Sequence, residues 1–264
     1  MPGTNDKGRG IQSDEHLFDI IEFIRERDEA GVTEIASEIG LAKSTVHGHL
    51  TALRRRGYVV RTDNGYRLGL EFLNHGKHVQ TSYNLYSIGQ KKVQQLATET
   101  DERAWCIVEE NGLGYYLSGA EGKHPVNPPA RIGKGVHLHP LAAGKAILAH
   151  LSDPRVEEII DQHGLPKITP NTITDEEALF AELERIRERG YAINNAESLS
   201  GLYAIGAPVI DEDGVVRGAL SISGPKNRLQ TEDKQNRFVD LLLGATNELE
   251  INIHNHRSLR SNIE

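Results

Sequence analysis

One short segment of the chain concentrates side chains that can bind nucleic-acid phosphate and base edges. Between residues 41 and 70, six basic residues stand against one acid, Asp63, which gives the segment a net charge of +5. The whole chain has a formal net charge of −8, so the remainder carries −13. A local cationic patch on an acidic protein favours an anionic partner, and DNA phosphate is the usual one. The candidate DNA contacts are Lys43, Ser44, Thr45, His47, Arg54, Arg55, Arg61 and Arg67.

These residues occupy positions that suit different contacts. The N-terminal residues of a recognition helix face base edges, where the hydroxyls of Ser44 and Thr45 can hydrogen-bond. At least one arginine at the far end of that helix is expected to meet phosphate, while another can satisfy the helix C-terminus, where cations are favoured. Arg61 and Arg67 on two following strands are candidates for backbone or minor-groove contact. The alternative is a helical mini-domain whose solvated basic face is used for protein contacts.

The elements that must hold these residues follow the order of a winged helix-turn-helix. Thr33 is the expected N-cap of the second helix. The third helix has an apolar face at spacing i, i+4, i+7, formed by Val46, Leu50 and Leu53. Strands at 58–61 and 66–68 pair across an Asp-Asn-Gly turn. The sequence therefore predicts three helices and a wing.

A helix that opens after Pro140 begins with small residues, Leu141-Ala142-Ala143-Gly144. Small residues leave backbone N–H groups accessible, which suits a carboxylate or phosphate. The equal alternative is a helix packed closely on a sheet. The Gly144-Lys145 pair is not a phosphate-binding loop for nucleotides, since Ala146 stands where a magnesium-binding hydroxyl is required.

Further along the chain, Ser221 and Ser223 share one face of their predicted strand because side chains alternate. They indicate either a small polar pocket or a solvent-facing edge. His137 and His139 are also expected to share a strand face, but without an accompanying ligand motif they are read as ordinary histidines and no metal is predicted. Cys106 lies in an apolar strand, where a buried, inert thiol is expected.

Composition limits the classes of protein that remain. The 264 residues suit two domains, and 38% hydrophobic with 26% charged residues is typical of a globular protein. A run of about 18 apolar residues is missing, as is an apolar signal-peptide core, so a cytoplasmic location without membrane contact is expected. No nucleophile elbow or metal motif is found, which argues against an enzyme and against a cofactor. A small-metabolite enzyme and an effector-free architectural DNA-binding protein remain as alternatives.

The predicted fold class is α+β, with a winged helix-turn-helix at 12–70, a linker helix at 71–85 and a second domain with a largely antiparallel sheet at 86–256. Three motifs carry a resemblance to a known family: SEIGLAKSTVHGHLTALRRRGYV, AAGKAILAHL and RGYAINNAESLSGLYAIGAPVIDEDGVVRGALSISGP. With them, the chain from about residue 12 to 256 resembles the IclR family of transcription regulators.

That resemblance implies a GAF-like effector-binding domain whose ligand is a small molecule, often an organic acid. It also implies a double-stranded DNA operator and a homodimer, which often pairs into a homotetramer. The implied effector pocket comprises Ala142, Ala143, Asn194, Ala204, Ser221 and Ser223. Two of these depart from well-known organic-acid sensors: Asn194 stands where an acid can occur, and Ala204 where cysteine is frequent. Gly48 occupies a recognition-helix position that is frequently arginine.

Overall fold

The computed structural model describes residues 11–123 and 130–261, with side chains up to residue 254. The chain divides into two compact units, with the boundary between Gln80 and Thr81. Within the described residues, no helix is both long enough and apolar enough to cross a membrane.

The first unit contains three helices followed by a two-stranded hairpin, as predicted. Its core is formed by side chains from all three helices and the hairpin, including the fully buried Ile20, Ile35 and Leu50. The elements are α1 (Gln12–Arg27), α2 (Val32–Ile39), α3 (Lys43–Arg55), β1 (Val59–Arg61) and β2 (Tyr66–Leu68), with α4 (Glu71–Ser82) following.

The start of α2 differs from the prediction. The helix begins before Thr33, at Val32, and its N-cap is Gly31, which makes no side-chain capping bond. The reason is the neighbouring Ala30, whose backbone N–H and C=O both bond to Tyr66 of β2. Because this bridge fixes the chain just before Gly31, the helix starts immediately after it.

Helix α4 is attached to the hairpin by an aromatic cluster. The Tyr58 hydroxyl lies 2.7 Å from Nε2 of His75, and the two rings are stacked. Phe72 packs edge-on against Tyr58 with ring centroids 5.0 Å apart. The first turns of α4 therefore belong to the packing of the first unit.

The second unit is built on one six-stranded sheet in which every pairing is antiparallel, in the order β5-β4-β3-β8-β7-β6. This confirms the predicted α+β class with a largely antiparallel sheet. The strands are β3 (Arg103–Glu110), β4 (Leu113–Ala120), β5 (Gly135–His137), β6 (Ala192–Asn195), β7 (Leu202–Ile210) and β8 (Val216–Pro225). The helices are α5 (Asn84–Thr100), α6 (Ala142–Leu148), α7 (Asp153–His163), α8 (Glu176–Arg189), α9 (Lys226–Leu229) and α10 (Glu232–Ser261).

Alternation along the strands gives the sheet two differently covered faces. One face packs against α5 and α10 and includes Cys106 and Leu220. The other packs against α6, α7 and α8 and includes Trp105, Ile107 and Ala219. Because successive side chains point to opposite faces, Ser221 and Ser223 belong with Ala219 on the α6 side.

Helix α6 lies unusually close to the sheet. A Cβ placed on Gly206 of β7 would lie 2.5 Å from both the Ala142 carbonyl carbon and the Ala143 nitrogen. A Cβ on Gly144 would overlap the carbonyl oxygen of Leu138. The missing side chain of Gly206 thus allows the backbone at Ala142 and Ala143 to pack directly on the sheet, whereas that of Gly144 allows close contact with the segment before α6.

A buried ion pair connects α6 to the segment after β6. Nζ of Lys145 lies 2.7 and 2.8 Å from the two carboxylate oxygens of Glu197, and the side chains are only 2% and 8% exposed. The Glu197 carbonyl also accepts hydrogen bonds from the hydroxyls of Thr169 and Thr172. Lys145, rejected above as a nucleotide ligand, therefore anchors the chain that follows β6.

We expect Gly206→Ala to destabilise the second unit by about 1–3 kcal/mol, because overpacking forces the backbone of α6 away from β7. Urea unfolding followed by the fluorescence of Trp105, the only tryptophan, reports on this unit. The matched control is Gly244→Ala on α10, where an added Cβ meets nothing within 4 Å. There alanine should be neutral or stabilising by up to about 1 kcal/mol. A Gly206→Ala protein as stable as the control would contradict the packing argument.

Lys145→Met should destabilise the fold by about 3–5 kcal/mol, because it leaves the Glu197 carboxylate buried without its cationic partner. Adding Glu197→Met should recover much of that loss, so the double variant should be more stable than the two single effects predict. Lys123→Met is the control, since Lys123 pairs with Asp101 at 3.4 Å on the surface and should contribute less than about 1 kcal/mol. Additive losses in the double variant would show that the two side chains do not act as a pair.

Candidate functional site

The candidate DNA-contacting residues form an exposed surface on the first unit. Val46, Leu50 and Leu53 of α3 are buried against α1 and α2, which turns the opposite side of the helix to solvent. All eight predicted residues are exposed: Lys43, Ser44, Thr45, His47, Arg54, Arg55, Arg61 and Arg67. Six of them lie along one helix, with small polar side chains at its start and arginines at its end.

The two wing arginines leave the hairpin in different directions. Arg61 pairs with Tyr66 across the ladder, whereas Arg67 pairs with Val60. Because neighbouring positions on a strand alternate, Arg61 and Arg67 lie on opposite faces of the hairpin. The structure therefore does not bring these two residues together.

Gly48 lies on the exposed side of α3, among the candidate contacts. A Cβ built on it meets nothing within 4 Å. The packing of the first unit therefore does not require glycine here.

The second unit contains a cavity of about 370 Å³ between α6 and the facing side of the sheet. Its walls draw on β3, β4, β5, β6, β7 and β8, and on the segment that precedes α6. All six residues of the implied effector pocket lie on its wall: Ala142, Ala143, Asn194, Ala204, Ser221 and Ser223. Since β8 lies between β3 and β7, the two serines are not at a solvent-facing edge, and they are only 5% and 6% exposed.

Several wall residues were not singled out from the sequence for this role. Trp105 and Ile107 of β3 lie beside the serine strand, with Trp105 paired directly opposite Ser221. Tyr116 of β4 packs edge-on against Trp105 at 4.7 Å. Lys134 and His137 come from the β5 side. The order of the strands, which brings β3, β4 and β5 next to β8, is needed to place these residues around one cavity.

The wall is apolar with a few hydrogen-bonding groups, and its described residues carry no negative charge. Among the described residues that line it, none is Asp or Glu, whereas Lys134 and His137 supply basic groups. Burial raises the pKa of Tyr116 to about 12, so its phenol stays protonated and neutral.

Asn194 shapes the cavity through a local turn. Its Oδ1 accepts the backbone N–H of Glu197 at 2.8 Å, and its Nδ2 donates to Oγ of Ser198 at 2.6 Å. The segment after β6 is thereby tied to the Lys145–Glu197 ion pair on one side and to the cavity wall on the other. An amide suits this double role because one side chain both donates and accepts.

The sequence expectation for Cys106 is met, whereas the one for His137 and His139 is not. Cys106 is fully buried on the other face of the sheet, and burial raises its thiol pKa to about 12, as expected of an unreactive cysteine.

The expectation that His137 and His139 share a strand face is wrong. Strand β5 ends at His137, and the chain turns there, because the Leu138 carbonyl accepts the N–H of Leu141. Within the described parts of the chain, no group of three potential ligands is arranged to hold a metal ion.

Family models of known proteins match both units of the chain. The IclR helix-turn-helix domain matches residues 15–63, and the C-terminal domain of bacterial IclR transcriptional regulators matches residues 77–250. A probable HTH-type transcriptional regulator ArcR of Halobacterium salinarum is 31% identical over 254 residues, covering 95% of this chain and 97% of the relative. The transcriptional repressor IclR of Escherichia coli is 28% identical over 244 residues, covering 90% and 89%.

Solved structures give the same result for the fold. The crystal structure of the Thermotoga maritima IclR has a TM-score of 0.80 and 29% identity, and the match covers 92% of this chain and 99% of that one. An IclR homologue of Microbacterium hydrocarbonoxydans, solved in complex with 4-hydroxybenzoate, has a TM-score of 0.77 at 23% identity, covering 90% and 99%. The chain belongs to the IclR family of transcriptional regulators and carries the family's helix-turn-helix DNA-binding domain.

Proposed function

We propose that this chain is a homodimeric regulator whose affinity for an operator is controlled by a small organic anion bound in the cavity. Residues 12–70 read the DNA, 71–85 form the linker, and 86–256 bind the effector and associate with other copies. The observation that carries the proposal is the open cavity. It is lined by all six residues of the implied pocket, and no acidic group stands among its described wall residues.

The exposed side of α3 supports direct contact with a major groove. A recognition helix presents its N-terminal residues to base edges, which assigns sequence reading to Ser44, Thr45 and His47. Arg54 and Arg55 follow at the other end of α3, where they would bind phosphate. A two-fold dimer would place two such helices on a palindromic or nearly palindromic site. Pairing of dimers into a homotetramer through the second unit is part of the same proposal.

The cavity also weighs against the two alternatives. An effector-free architectural protein would require side chains to fill the space between Ala142 and Ser221, and that space is open. An enzyme acting on a small metabolite would require a nucleophile with a base, or a metal site. The relatives are named as transcriptional regulators. An effector can control DNA binding only if it binds the two functional arrangements of the protein with different affinities.

Arg54→Ala plus Arg55→Ala should weaken binding to all DNA sequences and flatten the salt dependence, because two phosphate contacts are lost. On a site obtained by selection from a random DNA library, the slope of log K against log salt should fall by about 2. Arg185→Ala plus Lys234→Ala, both exposed in the second unit, is the matched control and should leave the slope unchanged. Ser44→Ala should instead change which sequences are preferred. An unchanged slope in the arginine double variant would refute the phosphate assignment.

Ser221→Ala plus Ser223→Ala should weaken carboxylate binding at least tenfold, because two buried hydroxyls are removed from the wall. A series from acetate to benzoate and phenylacetate, each with its amide, measures the shift in melting temperature and the release of operator DNA. Carboxylates should act and amides should not. Ser37→Ala plus Ser152→Ala, exposed and outside the cavity, serves as the control. Equal binding by the cavity variant and the control would show that the site is elsewhere.

A further inference from the structure

His137 stands where the cavity meets a row of imidazoles. Its partly exposed side chain lines the cavity wall at the end of β5. Its ring centroid lies 5.8 Å from that of His139 and 6.3 Å from that of His163 on α7. Three imidazoles thus lie in contact, and of these only His137 faces the cavity.

The two outer histidines are held by backbone carbonyls. Nε2 of His163 lies 2.7 Å from the Asn111 oxygen, and Nε2 of His139 lies 3.2 Å from the Pro166 oxygen. Burial, followed by the charges of His137 and Lys145, lowers the pKa of His139 to about 4 despite the Pro166 contact. His139 is therefore neutral near neutral pH and donates its Nε2 proton to Pro166. By contrast, the His137 ring makes no hydrogen bond with any residue in the described part of the chain.

Among the described residues, the titratable groups that contact His137 or share the cavity wall with it are neutral or basic. They are His163 from α7, His139 from the following turn, Lys134 from the segment entering β5, and the neutral phenol of Tyr116 from β4. Burial, and after it the charge of His163, lowers the pKa of His137 below its ordinary value. In the empty cavity, protonation of His137 is therefore disfavoured. An anion placed beside it would supply the opposite charge that the wall lacks and would raise that pKa.

We propose that His137 binds the anionic group of the effector and takes up one proton from solvent as the anion enters the cavity. The step is an acid–base equilibrium: a neutral imidazole plus a proton becomes an imidazolium, and the carboxylate remains ionised. It rests on the proposed function in one respect, namely that the effector is an anion. Effector binding, and through it DNA release, is then linked to pH.

The direction of the linkage follows from the two pKa values of His137, lower when the cavity is empty and higher when it is filled. Below the lower value the imidazole is charged in both states, and anion affinity is greatest. As pH rises through the higher value the proton is lost even in the complex, and the extra affinity disappears. Each unit between the two values corresponds to about a tenfold change in affinity.

The test uses benzoate as the probe and benzamide as its uncharged counterpart, with the full-length protein. Benzoate stays ionised above about pH 5, like other carboxylates, so any change in its affinity between about pH 5.5 and 8 reports on the protein. Isothermal titration in buffers of different ionisation enthalpy should show proton uptake on binding benzoate. The benzoate affinity should fall several-fold as pH rises across this range.

Three variants and one uncharged ligand separate the role of His137 from that of other histidines and of the ligand charge. His137→Gln should abolish both proton uptake and pH dependence, whereas His254→Gln, an exposed residue on α10 on the other face of the sheet, should preserve them. His163→Gln removes the charge that opposes protonation of His137, so it should shift the pH dependence to higher pH. Benzamide, if it binds, should show neither effect. If His137→Gln fails to fold, an NMR titration of the wild-type His137 ring should show its pKa rising when benzoate is added.

The outcomes distinguish the two proposals. Benzoate binding without proton uptake, or pH dependence that persists in His137→Gln, would overturn the role of His137 and leave the anion-binding function intact. Failure of benzoate, acetate and phenylacetate to bind wild type at any pH in the range would overturn both. Proton uptake that is lost only in His137→Gln would establish the inference.

Discussion

The second unit depends on a backbone contact between α6 and β7. Gly206 has no side chain, and the chain around Ala142 and Ala143 occupies the space that a Cβ would take. At this separation neither a side chain nor a layer of water fits between the start of α6 and β7. It fixes the start of α6 against the sheet, and the cavity lies directly beside it, with Ala142 and Ala143 on its wall. A small displacement of α6 would therefore change the shape of the cavity.

The ion pair between Lys145 and Glu197 extends this constraint to the opposite wall. Lys145 belongs to α6, and Glu197 belongs to the turn that Asn194 organises. Moving the two walls apart would leave each charge buried in an apolar interior without its partner, which is unfavourable. The ion pair therefore holds the two walls in one arrangement. The cavity wall includes residues from both sides of the pair, namely Ala142 and Ala143 of α6 and Asn194 of β6.

Local sequence signals predicted much of the fold. The apolar spacing of α3 and the Asp-Asn-Gly turn of the hairpin depend on near neighbours in the chain, and both elements appear where expected. The cavity was only partly predictable. Ser221 and Ser223 were found by alternation and resemblance, whereas the placement of Trp105 and His137 depends on the strand order, which brings distant segments together. The partner of Lys145 lies 52 residues away, and no local pattern indicates such a pair.

The lack of packing contacts at Gly48 affects how the DNA-contacting surface can evolve. An added side chain there would meet only solvent or a bound partner, and alanine in place of a helical glycine is worth about 1 kcal/mol of stability. Variation at position 48 is thus separated from folding. A new residue could alter the preferred operator without a compensating substitution in the core. In evolutionary terms, selection on DNA recognition rather than on packing would act on position 48.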